Sequence, residues 1–69
     1  MSQKSIGLKI QTARDTLGEC ITELKDALEE VDELEDDGKD SPVGSGDLER
    51  ALSQARAIHK RLEVWVSRF

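Results

Sequence analysis

Apolar residues recur at alternating intervals of three and four positions over the N-terminal half, and this repeat constrains the fold more than any other feature. Its members are Ile10, Ala13, Leu17, Cys20, Leu24, Ala27, Val31 and Leu34. Because an α-helix has about 3.6 residues per turn, this spacing places all of them on one face. Ile21 and Leu28 lie beside the stripe and widen it. The pattern predicts a long amphipathic helix over about residues 5–36, after a frayed N-terminus at residues 1–4, with Ser2 or Ser5 as its cap.

A second repeat with the same spacing occupies the C-terminal third of the chain. Its members are Leu48, Ala51, Ala55, Ile58, Leu62, Trp65 and Phe69, and Leu52 and Val66 widen it. This repeat predicts a second helix over about residues 47–69, with Asp47 capping its first backbone N–H groups.

Between the two repeats, residues 37–46 contain the only proline and are polar, which predicts a loop. Gly38 is suited to end the first helix in a left-handed conformation. A second glycine, Gly18, falls inside the first helix. Gly18 either permits the close approach of another helix or is simply tolerated at a cost of about 1 kcal/mol relative to alanine.

Two amphipathic helices joined by a loop of this length predict a single all-α domain, an antiparallel helical hairpin over residues 1–69. Matching large residues against small ones favours a register in which each core layer pairs one residue of each helix. The layers include Leu34 with Leu48, Leu24 with Ile58, Cys20 with Leu62, Leu17 with Trp65 and Ala13 with Phe69. In this register the first turns of the long helix project beyond Phe69. The register also predicts that basic residues of the second helix lie beside acidic residues of the first.

The chain has 69 residues and one cysteine, so it is small and has no internal disulfide. Domains of this size bury only about 60% of their unfolded surface and usually need additional support. We therefore predict that association completes the fold, either as a homodimer that forms a four-helix bundle or as a subunit of a larger complex. The predicted partner-binding residues are those that project beyond Phe69 or widen the stripes: Ile6, Leu8, Ile10, Ile21, Leu28, Leu52 and Val66.

Acidic residues outnumber basic ones by 15 to 10, and they concentrate near the predicted loop. This balance disfavours general binding to phosphate backbones, so nucleic acid is not expected as a partner. The predicted acidic surface consists of Glu29, Glu30, Glu33, Asp36, Asp37 and Asp40. Its spacing lacks the glutamate that a calcium-binding loop needs, and we predict no metal site and no cofactor.

The sequence predicts no enzymatic activity. Cys20 lies on the apolar stripe, where a thiol packed between leucines is unreactive, and His59 is expected at the stripe edge. There is no glycine-rich phosphate loop and no plausible Ser/His/Asp set. No signal peptide or apolar segment of about 18 residues is present, which predicts a cytoplasmic protein with no membrane association.

These features predict a small acidic protein–protein interaction module, such as an adaptor, a chaperone or a regulator, that acts through apolar helix faces. An alternative is an acidic inhibitor that mimics a nucleic acid and occupies a basic site on a partner protein. A weaker alternative is an RNA-binding hairpin dimer. Salt separates the first two hypotheses, because screening weakens a charged contact much more than an apolar one.

Overall fold

The computed structural model describes residues 2–69 as two helices that pack against each other. Helix α1 spans Gln3–Asp36 and helix α2 spans Ser45–Ser67. The predicted all-α hairpin is therefore confirmed, although each helix begins two residues earlier than predicted. The molecule is a rod with Cα extents of 53 × 15 × 14 Å.

Local hydrogen bonds explain where α1 begins and ends. Of the two predicted capping candidates the structure uses Ser2, whose Oγ accepts a hydrogen bond from the backbone N–H of Ser5 at 3.2 Å. At the other end Gly38 has φ 74°, as predicted. The N–H of Lys39 donates to the Leu34 carbonyl at 2.9 Å, and that of Gly38 to the Glu35 carbonyl at 3.0 Å. This pair of bonds is the Schellman motif, which satisfies the last carbonyls of the helix.

The start of α2 differs from the prediction, because Gly44 and not Asp47 is the N-cap residue. Asp47 lies in the first turn, and its Oδ2 accepts a hydrogen bond from the Gly44 N–H at 3.3 Å. A carboxylate from α1 also reaches this helix end. Glu35 accepts hydrogen bonds from the Ser45 N–H at 3.1 Å and the Ser45 hydroxyl at 3.0 Å. These bonds place negative charge at the N-terminus of α2 and tie the two ends of the loop together.

The seam between the helices contains one of the two apolar columns predicted for each helix, and a different second column. In α1 the residues that turn inward are Gly7, Ile10, Arg14, Leu17, Ile21, Leu24, Leu28 and Val31. In α2 they are Leu48, Leu52, Ala55, His59, Leu62, Val66 and Phe69. Among residues 2–69 only Val31, Leu52 and Ala55 are buried, and the other seam residues apart from Phe69 are partly exposed.

The prediction that Ala13, Cys20, Leu34, Ile58 and Trp65 form core layers is therefore wrong. Cys20 is exposed, and Ile58 and Trp65 are 47% and 39% exposed. Each helix carries three adjacent apolar columns, of which a paired helix covers two. The columns that contain Ile21, Leu28, Leu52 and Val66 bury more apolar area than those with alanine and cysteine, which favours the observed seam.

The predicted register is also wrong. A Cβ atom built on Gly7 would lie 3.0 Å from Cβ of Phe69, so the chain end packs against Gly7 and not Ala13. Because Gly7 has no side chain, Phe69 can approach the α1 backbone closely. Only the first turn of α1, residues 3–6, extends past Phe69. Leu8 and Ile10 therefore lie alongside the C-terminal end of the chain and do not project beyond it.

The predicted charge pairing between helices is not found among residues 2–69. In this part of the chain the close contacts between basic and acidic side chains each stay within a single helix. Arg14 lies 3.1 Å from Asp15 in α1, and His59 Nδ1 lies 3.4 Å from the Glu63 carboxylate in α2. Packing of the apolar seam, with the Glu35–Ser45 bonds at the loop, therefore holds the hairpin together.

Two glycine substitutions should have opposite effects on stability. A Cβ atom at Gly18 would lie 3.6 Å from His59 Nε2, an ordinary van der Waals distance. Gly18→Ala is therefore expected to stabilise the protein by about 1 kcal/mol through helix propensity. Gly38→Ala should destabilise it by about 1–2 kcal/mol, because alanine is strained at positive φ. Urea denaturation of both variants checks this expectation, and a loss of stability in Gly18→Ala would show that α2 needs the glycine.

Candidate protein-interaction face

The columns left outside the seam repeat every seven residues along both helices. In α1 they consist of Ile6, Ala13, Cys20, Ala27 and Leu34. In α2 they consist of Ala51, Ile58 and Trp65. When two helices pack along each other, residues seven positions apart lie on the same side of each helix. We call these eight residues the apolar face.

The two columns lie on the same side of the hairpin, because each immediately precedes an inward-facing column and the helices are antiparallel. The opposite side has a different character. There a groove of about 350 Å³ is lined by Lys25, Leu28, Glu29, Asp32, Glu49, Leu52, Ser53 and Arg56. Six of these eight residues are polar or charged. One side of the rod is therefore mostly polar and charged, and the other side is apolar.

The large side chains of the apolar face are open to solvent, whereas its members Ala27 and Ala51 are partly buried at the edge of the seam. Ile6 and Leu34 are 38% and 37% exposed, and Ile58 and Trp65 are more so. Single exposed apolar residues are common on soluble proteins, but a contiguous exposed stripe usually marks an interaction site. The stripe runs along most of α1, from Ile6 to Leu34. This face is the strongest candidate site on the described part of the molecule.

The predicted partner-binding residues are distributed differently. Ile6 belongs to the apolar face, and Leu8 is 55% exposed beside the chain end. Ile10, Ile21, Leu28 and Val66 are partly buried along the seam, and Leu52 is only 4% exposed. The prediction that Leu52 points outward is therefore wrong. The seven-residue spacing of Ala13, Cys20 and Ala27 was the signal that this column lies outside the seam, since small residues gain little from burial there.

The predicted acidic residues are all exposed: Glu29, Glu30, Glu33, Asp36, Asp37 and Asp40. Residues 21–56, which form the loop end, carry twelve acidic and four basic side chains, a net charge of −8. The remainder of the chain carries three acidic and six basic side chains, a net charge of +3. The rod is thus electrically polar along its length. Within residues 2–69, no three acidic, cysteine or histidine side chains are grouped so that they could hold a metal ion.

The comparisons with known proteins give no guide to this site. Comparisons with protein-family models, with curated proteins and with solved structures find no match to the chain. Neither described helix has an apolar stretch long enough to cross a membrane. The apolar face and the charge distribution are therefore the observations from which a function can be argued.

Proposed function

We propose that this protein is a non-enzymatic interaction module that works by docking its apolar face against helices of a protein, either a second copy or a different chain. The observation that carries this proposal is the open stripe of seven-residue spacing on both helices. Helices present such stripes to other helices, because regularly spaced apolar side chains fit between those of a neighbouring helix.

The small core supports the same proposal. Three residues of the described chain are buried, and the rest of the seam remains partly exposed. A core of this size provides little stability to a chain of 69 residues. Covering the apolar face would bury the second side of each helix, and that burial would contribute about 25 cal/mol for each Å² of apolar surface.

A second candidate function is favoured by the charge of the loop end. A net charge of −8 over residues 21–56 provides an acidic surface for a basic site on another protein. Such a contact would depend steeply on salt, whereas docking of the apolar face would not. The two functions use different surfaces, so one chain can be tested for both.

Site-specific photo-crosslinking tests the proposed function with a matched pair of positions. Ile58 lies on the apolar face and is 47% exposed, while Val64 is 45% exposed on α2 but outside that face. A photoreactive residue at position 58, introduced in the cells that make the protein, is expected to form a discrete protein adduct. The same residue at position 64 should not. If both positions give the same adducts, or position 58 gives none, the apolar face is not a docking surface.

A further inference from the structure

We infer that the apolar face is covered by a second copy of the chain that runs antiparallel to the first, so that loops lie at opposite ends of a four-helix bundle. The inference rests on the proposed function and names its partner. In this arrangement the twofold axis passes between the copies at the level of Cys20 and Ile58. Helix α1 then lies on α1 of the second copy, and α2 lies on α2.

The α1 column matches itself when it is reversed about Cys20. Its order is Ile6, Ala13, Cys20, Ala27, Leu34, with large residues at both ends and small ones between. Reversal sets Ile6 against Leu34 of the second copy, Ala13 against Ala27, and Cys20 against Cys20. The small central residues let the two α1 helices approach closely, and the large residues close the ends of the contact.

The α2 column is complementary to itself in the same way. Reversal about Ile58 sets Ile58 against Ile58 of the second copy and Trp65 against Ala51, the largest residue against the smallest. The two centres of reversal also lie at one level of the hairpin, because Gly18 lies beside His59. A single twofold axis therefore satisfies both columns, which is what a symmetric dimer requires.

Charges along the rims of the apolar face select the antiparallel orientation. The exposed charged residues along the rims are Lys9, Glu23 and Glu30 on α1, and Asp47, Arg61 and Arg68 on α2. Glu23 and Arg61 face the uncharged Thr16 or Gln54 of the second copy in either orientation, so the other four residues decide between them. In the antiparallel dimer, Lys9 lies near Glu30 of the second copy and Asp47 lies near Arg68. A parallel dimer would place Lys9 near Arg68 and Glu30 near Asp47. Like charges so placed oppose association, so they disfavour the parallel alternative.

The dimensions also fit. The rod is 53 Å long and 15 Å across between Cα extents, so a contact along its length has room for the roughly 800 Å² that each partner buries in a standard protein–protein interface. The distribution of charge along the rod also favours the antiparallel dimer. In that dimer the loop end of each copy, with a net charge of −8, lies against the opposite end of the other copy, with a net charge of +3.

Charge reversal at the rims tests this orientation by analytical ultracentrifugation of the full chain at low salt. The parent is expected to sediment as a dimer of the 7.7 kDa chain, with Trp65 fluorescence shifted to the blue on association. Lys9→Glu and Glu30→Lys should each raise the dimer dissociation constant about tenfold, because attractive rim pairs become repulsive. An equimolar mixture of these two variants should recover the parent affinity as a heterodimer. Lys25→Glu and Glu29→Lys make the same charge changes on the opposite side and should have little effect.

Different failures have different meanings. If Lys9→Glu strengthens the dimer, the copies are parallel, so the antiparallel inference is overturned while the apolar face remains a docking surface. If the parent stays monomeric up to millimolar concentration with solvent-exposed Trp65, self-association is overturned, and crosslinking at position 58 then decides whether another protein covers the face.

Discussion

Leu52→Asp is expected to abolish folding. Leu52 is the most buried of the three core residues, at 4% exposed, and lies between the two helices. Truncating a buried leucine costs about 2–5 kcal/mol, and a buried carboxylate without a partner adds a further desolvation cost. A core in a domain of this size rarely supplies more than about 3–5 kcal/mol in total. The substitution therefore removes as much stability as the hairpin has.

Far-ultraviolet circular dichroism measures this loss directly, since the helical signal should fall to that of an unfolded chain at 25 °C. Ser53→Asp is the matched control, because Ser53 is the next residue, is exposed and lines the polar groove. The control should keep its helical signal and its cooperative melting. A Leu52→Asp protein that melts cooperatively near the parent temperature would mean that the seam lies elsewhere on α2.

Periodicity was sufficient to predict the two helices and their hairpin. The tolerance of glycine for positive φ was sufficient to predict Gly38 as the residue that ends α1. The start of α2 could not be predicted as well. Its N-terminus depends on Glu35, ten residues earlier in the chain, whose carboxylate bonds Ser45. Sequence signals for helix caps are local, so a bond of this kind across the loop leaves no trace in them.

The rotation of each helix about its own axis was predicted incorrectly for a physical reason. Both helices have three apolar columns, and any two neighbouring columns make a continuous stripe. Arg14 interrupts one column of α1 and His59 interrupts one column of α2, so the uninterrupted columns were predicted to form the seam. In the structure both residues sit at the seam with partly exposed side chains, at 27% each, and the neighbouring Ile21, Leu28, Leu52 and Val66 outweigh them. The predicted partner-binding residues depended on this choice of columns, and several of them therefore lie in the seam.

Gly7 explains why the register of the two helices could not be predicted from the sequence. Matching residue volumes layer by layer assigns a glycine no role, so Phe69 was aligned with Ala13. The structure instead packs Phe69 on the bare backbone of Gly7, with 3.0 Å between Cβ of Phe69 and a Cβ built on the glycine. Close approach to a glycine is an interaction of the backbone, which apolar patterning does not record.

Ile58→Glu is expected to eliminate association while it leaves the hairpin folded. Ile58 is exposed in the single chain, so the substitution removes little from the seam. In the inferred dimer it lies on the twofold axis, where two glutamates would meet and lose water together. Burial of one unpaired charge costs several kcal/mol, and repulsion between the two adds to it. We expect the dissociation constant to rise at least about a thousandfold, the equivalent of roughly 4 kcal/mol.

The control is Val64→Glu, which introduces the same charge on the same helix at almost the same exposure, but outside the apolar face. It should associate like the parent. Light scattering over a dilution series, with circular dichroism at each concentration, separates association from folding. Loss of helix in Ile58→Glu at low concentration, recovered at high concentration, would mean that the hairpin folds only with its partner. A variant that associates as tightly as the parent would contradict the assignment of Ile58 to the interface. Two unpaired glutamates that meet on a twofold axis must weaken the contact, because they repel each other and lose their hydration.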